Sequence, residues 1–371
     1  MRMRCTRRRA ATLLAGSGCA VWALTARSRF VAAAQATPAF AGDPQVFVPA
    51  PAEFADWQQI IGTRGIFDLS PQSQIIGRAP LQYDETFKEP GTVRSVSFSA
   101  KVWPSVDAAQ TATYTAYNLD ARNRLEIPSD ITTDDVVAGT LAGPGSSPPS
   151  GWPFGIGAAR IGNVWLVVSV YDKPEADSGQ IIDWLRQAVT DAQQADWTVA
   201  PFDWDHAQPD VPRPWLMEPA AGDLPSGWEQ RRSIRLWNDA GERIPRASAY
   251  RDFIRRTQQL RVRVDAYEAT ETAVAAYGLL TLPPRGASSF PATGLGDQAT
   301  GYGAAPDPTA PITIRQVLHI QRGPLVATVD IEYSANELSD DAARNDVMRA
   351  GAIVDTRARA SLGAAAPSDA T

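Results

Sequence analysis

Three patterns of apolar spacing occur twice in this chain, in the same order and about 160 residues apart. Self-similarity at a fixed separation dictates architecture before any single element is assigned. The first pattern is a strand running into a helix of small residues. Val96–Val102 alternates apolar and polar, as a half-buried strand does. Ser105 then caps a helix whose Ala109, Ala112, Thr113, Ala116 and Tyr117 share one face. Leu260–Ala266 alternates likewise, and Thr270 leads into a helix with Ala273, Ala276, Tyr277 and Leu280 on one side. The second pattern is a hairpin. Ala158–Val170 turns at Gly162-Asn163, a pair suited to strand twist, and Ile312–Ile331 turns at Arg322-Gly323-Pro324. The third is a closing helix, with Ile181, Ile182, Leu185, Val189 and Ala192 in one copy and Ala343, Val347, Ala350 and Val354 in the other.

Strand, helix, loop, hairpin, helix, stated twice, is not the alternation of a doubly wound parallel sheet. It predicts an α+β protein of two tandem related domains, each an antiparallel sheet flanked by helices. The expected domains cover residues 45–199 and 224–360. Between them, 200–223 holds Pro201, Pro209, Pro212, Pro214 and Pro219 with Trp204 and Trp215, and reads as an extended connector pinned down by its tryptophans. Gly143–Phe154 reads as a long loop, and 361–371 as a disordered tail.

The chain has 371 residues, 44% of them apolar and 20% charged, enough for two cores without staples. A formal net charge of −6 argues against nucleic acid as a partner and gives no attraction to anionic lipid. Cys5 and Cys19 both fall within the first 36 residues, and His206 and His319 are the only histidines. That supply leaves little for thiol, zinc or imidazole chemistry.

Residues 1–36 read as a signal peptide. Arg7, Arg8 and Arg9 follow a basic start, Ala10–Leu24 is apolar but too short for a confident membrane span, and Ala32 and Ala34 fit a small-x-small cleavage pattern. The run Thr6–Ala10 resembles a twin-arginine export signal built on Arg7 and Arg8, without the usual phenylalanine after the arginine pair. Gly16–Cys19 offers a second reading as a lipidation box, and Arg27 and Arg29 a third as the flank of a retained anchor. The expected location is secreted or extracytoplasmic, tethered to a membrane only if the leader stays or Cys19 is lipidated.

Chemistry-bearing motifs are sparse. Asp203, Asp205, His206 and Asp210 form the one cluster resembling a metal site, but they lack the glycine and closing glutamate of a calcium loop, so a solvated connector is expected. Gly294-Leu295-Gly296-Asp297 lacks the third glycine of a dinucleotide loop and reads as a structural turn. His319 reads as a surface strand histidine. Arg231, Arg232, Arg255, Arg256, Arg261 and Arg263 lie among Glu229, Asp252 and Asp265, a mixed surface. No catalytic, cofactor-binding or metal-ligating residue is assigned. Trp152, Trp204 and Trp215, outside the periodic segments, are the candidate ligand or partner surface.

Leu224–Trp228, Gly294–Asp297 and the segment Asp355–Arg357 occur in an order that resembles the extracellular sensor-type domains of mycobacterial serine/threonine kinases and related exported bacterial proteins. The resemblance implies a fold similar to the thylakoid PsbP protein and a role in binding rather than catalysis. The first copy lacks a clear Gly-Leu-Gly-Asp equivalent. The leading expectation is a non-enzymatic exported binding or sensor-like protein that holds a small ligand or envelope protein in a groove between its domains, without a cofactor. A hydrolase using paired carboxylates and a structural envelope component are the alternatives.

Overall fold

The computed structural model describes residues 39–49, 54, 56–69, 81–92, 94–116, 124–140, 155–171, 178–206, 210–239, 244–282, 287–304, 313–334 and 336–364. Arg7, Arg8, Cys19, Ala34, Trp152 and residues 365–371 lie outside them. The first half contributes β1 (Gln58–Leu69), β2 (Leu81–Lys88), β3 (Ser95–Val102), α1 (Val106–Ala116), β4 (Asp135–Thr140), β5 (Gly155–Ile161), β6 (Val164–Tyr171) and α2 (Ser178–Gln194). The second contributes β7 (Glu229–Asn238), β8 (Ala247–Arg255), β9 (Gln258–Ala266), α3 (Thr270–Leu280), β10 (Ser288–Phe290), β11 (Gln298–Ala304), β12 (Thr313–Arg322), β13 (Leu325–Ser334) and α4 (Asp340–Ala364), which continues past the expected start of the tail.

The expectation of two separate helix-flanked sheets is overturned. The thirteen strands of the described residues form one antiparallel sheet, in the order β10-β11-β12-β13-β9-β8-β7-β1-β2-β3-β6-β5-β4. The reason lies in the first strand of each half. β1 and β7 would each be a sheet edge with a row of unpaired N–H and C=O groups. Instead they pair with each other, from Thr63↔Asn238 to Leu69↔Arg232. Apolar periodicity records which face a strand buries and carries no information about its edge partner, so fused and separate sheets look alike in sequence.

One rung of side chains crosses eight strands: Leu166, Ala100, Tyr83, Arg64, Trp237, Ala247, Ala266 and Leu325. Rung partners share a face, so α2 and α4 cover the same side of the sheet. α2 buries Ile181, Leu185, Ala188 and Val189 over β5 and β6. α4 buries Ala343, Val347, Ala350 and Val354 over β12 and β13. Gly351 lets α4 settle, because a Cβ there would stand 2.4 Å from a Leu318 methyl. α1 and α3 pack on the opposite face, through Ala109 against Trp165 and through Ala273 and Tyr277 against Val326.

At the seam, Arg64 is buried and its Nε donates to Asp43 at 2.9 Å. Its other guanidinium nitrogens bond Asp239 and Gln45. Phe202 stacks 4.5 Å from the same guanidinium, with Tyr83 5.1 Å away. One side chain therefore ties together the segment before β1, β1 itself, the connector and the end of β7.

Candidate binding groove

A groove of about 720 Å³ opens at one end of the second half, between the start of β7, the β8–β9 turn and the first turns of α4. The turn is tight: β8 ends at Arg255 and β9 begins at Gln258, leaving Arg256 and Thr257 to reverse the chain. Arg256 takes φ 59°, a left-handed conformation that costs a non-glycine residue energy. Strain of this kind often marks a functional position.

The two arginines differ in freedom. Arg255 stacks 4.4 Å from the Trp228 ring, donates from Nη2 to Asp346 at 2.6 Å and from Nε to Gln258 at 2.8 Å. Trp228 belongs to the core beneath, so Arg255 is anchored. Arg256 is exposed and makes no ion pair among the described residues. The same groove is lined by the exposed carboxylates of Glu229 and Glu337, the latter accepting from Thr257 Oγ1. Asn345 adds an amide, and Leu338 and Ala342 an apolar wall. The amide of Ala342 donates to the Ser339 hydroxyl at 3.3 Å, capping α4 where its dipole favours negative charge. Both charge signs thus converge on one concavity.

Of the sequence-predicted residues, Trp204 and Trp215 lie elsewhere. Trp215 is buried in the second-half core, and half-buried Trp204 packs 5.8 Å from it and 5.2 Å from Phe202. Neither lines the groove. Asp203 spends its carboxylate locally, accepting from the amides of Asp205 and His206 at 3.0 and 3.1 Å, and among the described residues no acidic or histidine cluster is arranged for a metal. His319 is corrected from surface to interior. It is 3% exposed, with Nδ1 2.9 Å from Thr328 Oγ1 and Nε2 3.3 Å from the Tyr302 hydroxyl. Burial, seconded by the Arg315 charge, pushes its pKa down to about 4.

Two carboxyls are pushed the other way. Glu85, beside the seam, accepts from Gln59 at 2.5 Å and is raised to about 7 by burial, with Asp239 adding and Arg64 opposing. At 1% exposure it is shut off from solvent. Glu218, on the connector, has no hydrogen bond to either carboxyl oxygen among the described residues. It is raised to about 8 by burial, against the pull of Arg251 and Arg235.

Gly294–Asp297 does form a structural turn. Gly296 sits at φ 60°, where a Cβ would meet the Gln321 carbonyl at 2.6 Å. Its amide donates to Asp355, and Asp297 accepts from Gly323 N–H at 2.8 Å and pairs with Arg322. The first half holds the equivalent that its sequence hid. Asp134 accepts from Gly162 N–H at 2.7 Å and pairs with Arg160. The signal available was an aspartate just before a strand whose hairpin partner ends in arginine and glycine. The chain matches no protein-family model and no curated protein sequence.

Proposed function

We propose that the protein is a non-enzymatic, extracytoplasmic binding protein whose groove holds a small polar ligand carrying an anionic group and an amine or hydroxyl donor. The carrying observation is the exposed Arg256, at φ 59°, lining one concavity together with Glu229 and Glu337. Arg256 meets the anionic end, and the two glutamates accept from the donor end. Anchored Arg255 and the wall of Leu338 and Ala342 set the orientation. A rigid hairpin corner and a capped helix hold these groups in place before the ligand arrives, which lowers the ordering cost of binding.

The test is calorimetric titration of free amino acids, dipeptides and sugar acids into the protein and two variants. Arg256→Glu reverses the charge, and binding is expected to weaken at least tenfold. Arg256→Gly removes the charge while suiting the left-handed turn, so binding is expected to fall with thermal stability kept or raised. Equal affinity across all three proteins, or no binding by the unsubstituted protein, would reject the reading.

A further inference from the structure

α3 is apolar on both sides. Its inner side buries Ala273 and Tyr277. Its outer side exposes Val274, Ala275, Gly278 and Leu279, followed by Leu282 beyond the helix end. Leu279 and Leu282 are 76% and 72% exposed. Between Glu271 and Leu282 there is no charged residue. A helix apolar all round is ordinarily buried, and clustered exposed leucines mark a contact surface.

The geometry points to insertion of the α3 tip into the acyl boundary of a neutral lipid surface. Area argues against a second copy: covering these few side chains removes on the order of a few hundred Å² per molecule, well short of the ~1,200 Å² in total that a stable pair buries. Shape argues the same way. The two most exposed leucines sit at the C-terminal end, where the helix gives way to a turn at Thr281. At 76% and 72% exposure they stand clear of their neighbours, and fluid acyl chains can take up such side chains without a complementary pocket.

The surroundings also suit an interface. α3 runs from Ala273, packed at Val326, to Tyr277, whose hydroxyl meets Thr300 in the rung of His319 and Thr328. On this face of β12, Arg315 is held by Asp330 at 3.2 Å. With a net charge of −6 the molecule gains nothing from anionic lipid, so the apolar contact has to supply the affinity.

Co-sedimentation of the full chain with phosphatidylcholine vesicles tests this, read together with amide hydrogen exchange. Vesicles are expected to protect residues 274–282, and L279E/L282E is expected to lose that protection and bind at least tenfold more weakly, with an unchanged circular dichroism spectrum. Leu279→Ala, milder and safe for folding, is expected to fall between. Equal sedimentation of all forms would place the contact outside α3 and overturn the inference. A dimer in light scattering that L279E/L282E dissociates would overturn it in favour of a second copy.

Discussion

The two halves share a frame and differ on one face. In each, three meandering strands lead into an eleven-residue helix, and the last strand returns to pair beside the third. The details repeat: Trp103 N–H donates to Asn163 C=O at 3.0 Å, and Tyr267 N–H to Pro324 C=O at 2.9 Å. On the face that carries α1 and α3 the chemistry diverges. β6 is buried on both sides over most of its length, and Trp165 donates its indole N–H to the Ala109 carbonyl at 2.8 Å. The matching position in β13 is Val326, and the strand goes on to Thr328, Asp330 and Glu332. There Arg232, Asp252, Arg261 and Asp330 stand in register across four strands, with the carboxylates deep and the guanidinia outermost. Turns, clasps and strand order hold the fold, so this face is free to differ.

If the halves are one cooperative body, the largest effect belongs to the seam. Arg64→Ala removes a buried guanidinium and leaves Asp43 and Asp239, both partly solvated, without their shared cation; stability in a urea titration is expected to fall by about 3 kcal/mol, the low end of what breaking a buried pair costs. The unsubstituted protein should unfold in one transition. Two transitions, one per half, would show that β1–β7 pairing does not couple them.

The interior charges set opposite pH limits. The folded pKa of Glu218, about 8 against an ordinary 4.5, means that the fold keeps a proton the unfolded chain releases. Its contribution is full below about pH 4.5 and is lost as pH rises through 8. Glu85, at about 7, acts with the same sign from the first half. His319, at about 4 against 6.5, acts oppositely, with its contribution full above 6.5 and lost as pH falls through 4. Arg251 and Arg235 face Glu218 from β8 and β7, Asp252 adds a weaker repulsion, and Arg357 of α4 bonds the Glu218 carbonyl and Asp223. Glu218→Gln is expected to gain on the order of 2 kcal/mol at pH 9, below the ~5 kcal/mol ceiling that displacement from 4.5 to 8 sets, and under about 1 kcal/mol at pH 5, in paired denaturation curves. A gain of equal size at both pH values would mean the carboxyl is not the titrating group.

The sequence displayed what repeats locally and concealed what depends on neighbours. Alternation in Val96–Val102 and Leu260–Ala266, and the helical spacing of Ile181 and Leu185 or Val347 and Val354, are properties of single segments, and each appears as a buried face. Fusion at β1–β7 was invisible because backbone pairing leaves no side-chain signature. His319 looked like a surface residue beside Arg315, and only register shows Thr328 and Tyr302 closing over it. The groove leaves no mark in the sequence because Ser226, Arg256 and Glu337 are distant along the chain and each is ordinary alone. Trp204 and Trp215 drew attention by residue type, yet their setting is packing against Phe202 and the core.

The clasps give the smallest effect and the most direct comparison. Asp134 and Asp297 are half exposed, at 51% and 53%, and each holds a glycine amide of a hairpin turn and an arginine. Neither arginine is orphaned by losing its aspartate, because Arg160 keeps Asp135 at 2.6 Å and Arg322 keeps Asp355. The loss is therefore confined to the amide bond and a solvent-screened pairing, about 1–2 kcal/mol for Asp134→Ala and the same for Asp297→Ala. The two sites share no partner, so the double variant should lose the sum within about 0.5 kcal/mol. Asp→Asn at either site keeps the acceptor and should cost less than alanine. If one alanine variant proves neutral while the other costs its full amount, the clasp is a working part of one half and a relic in the other, and the likeness of the halves ends at topology.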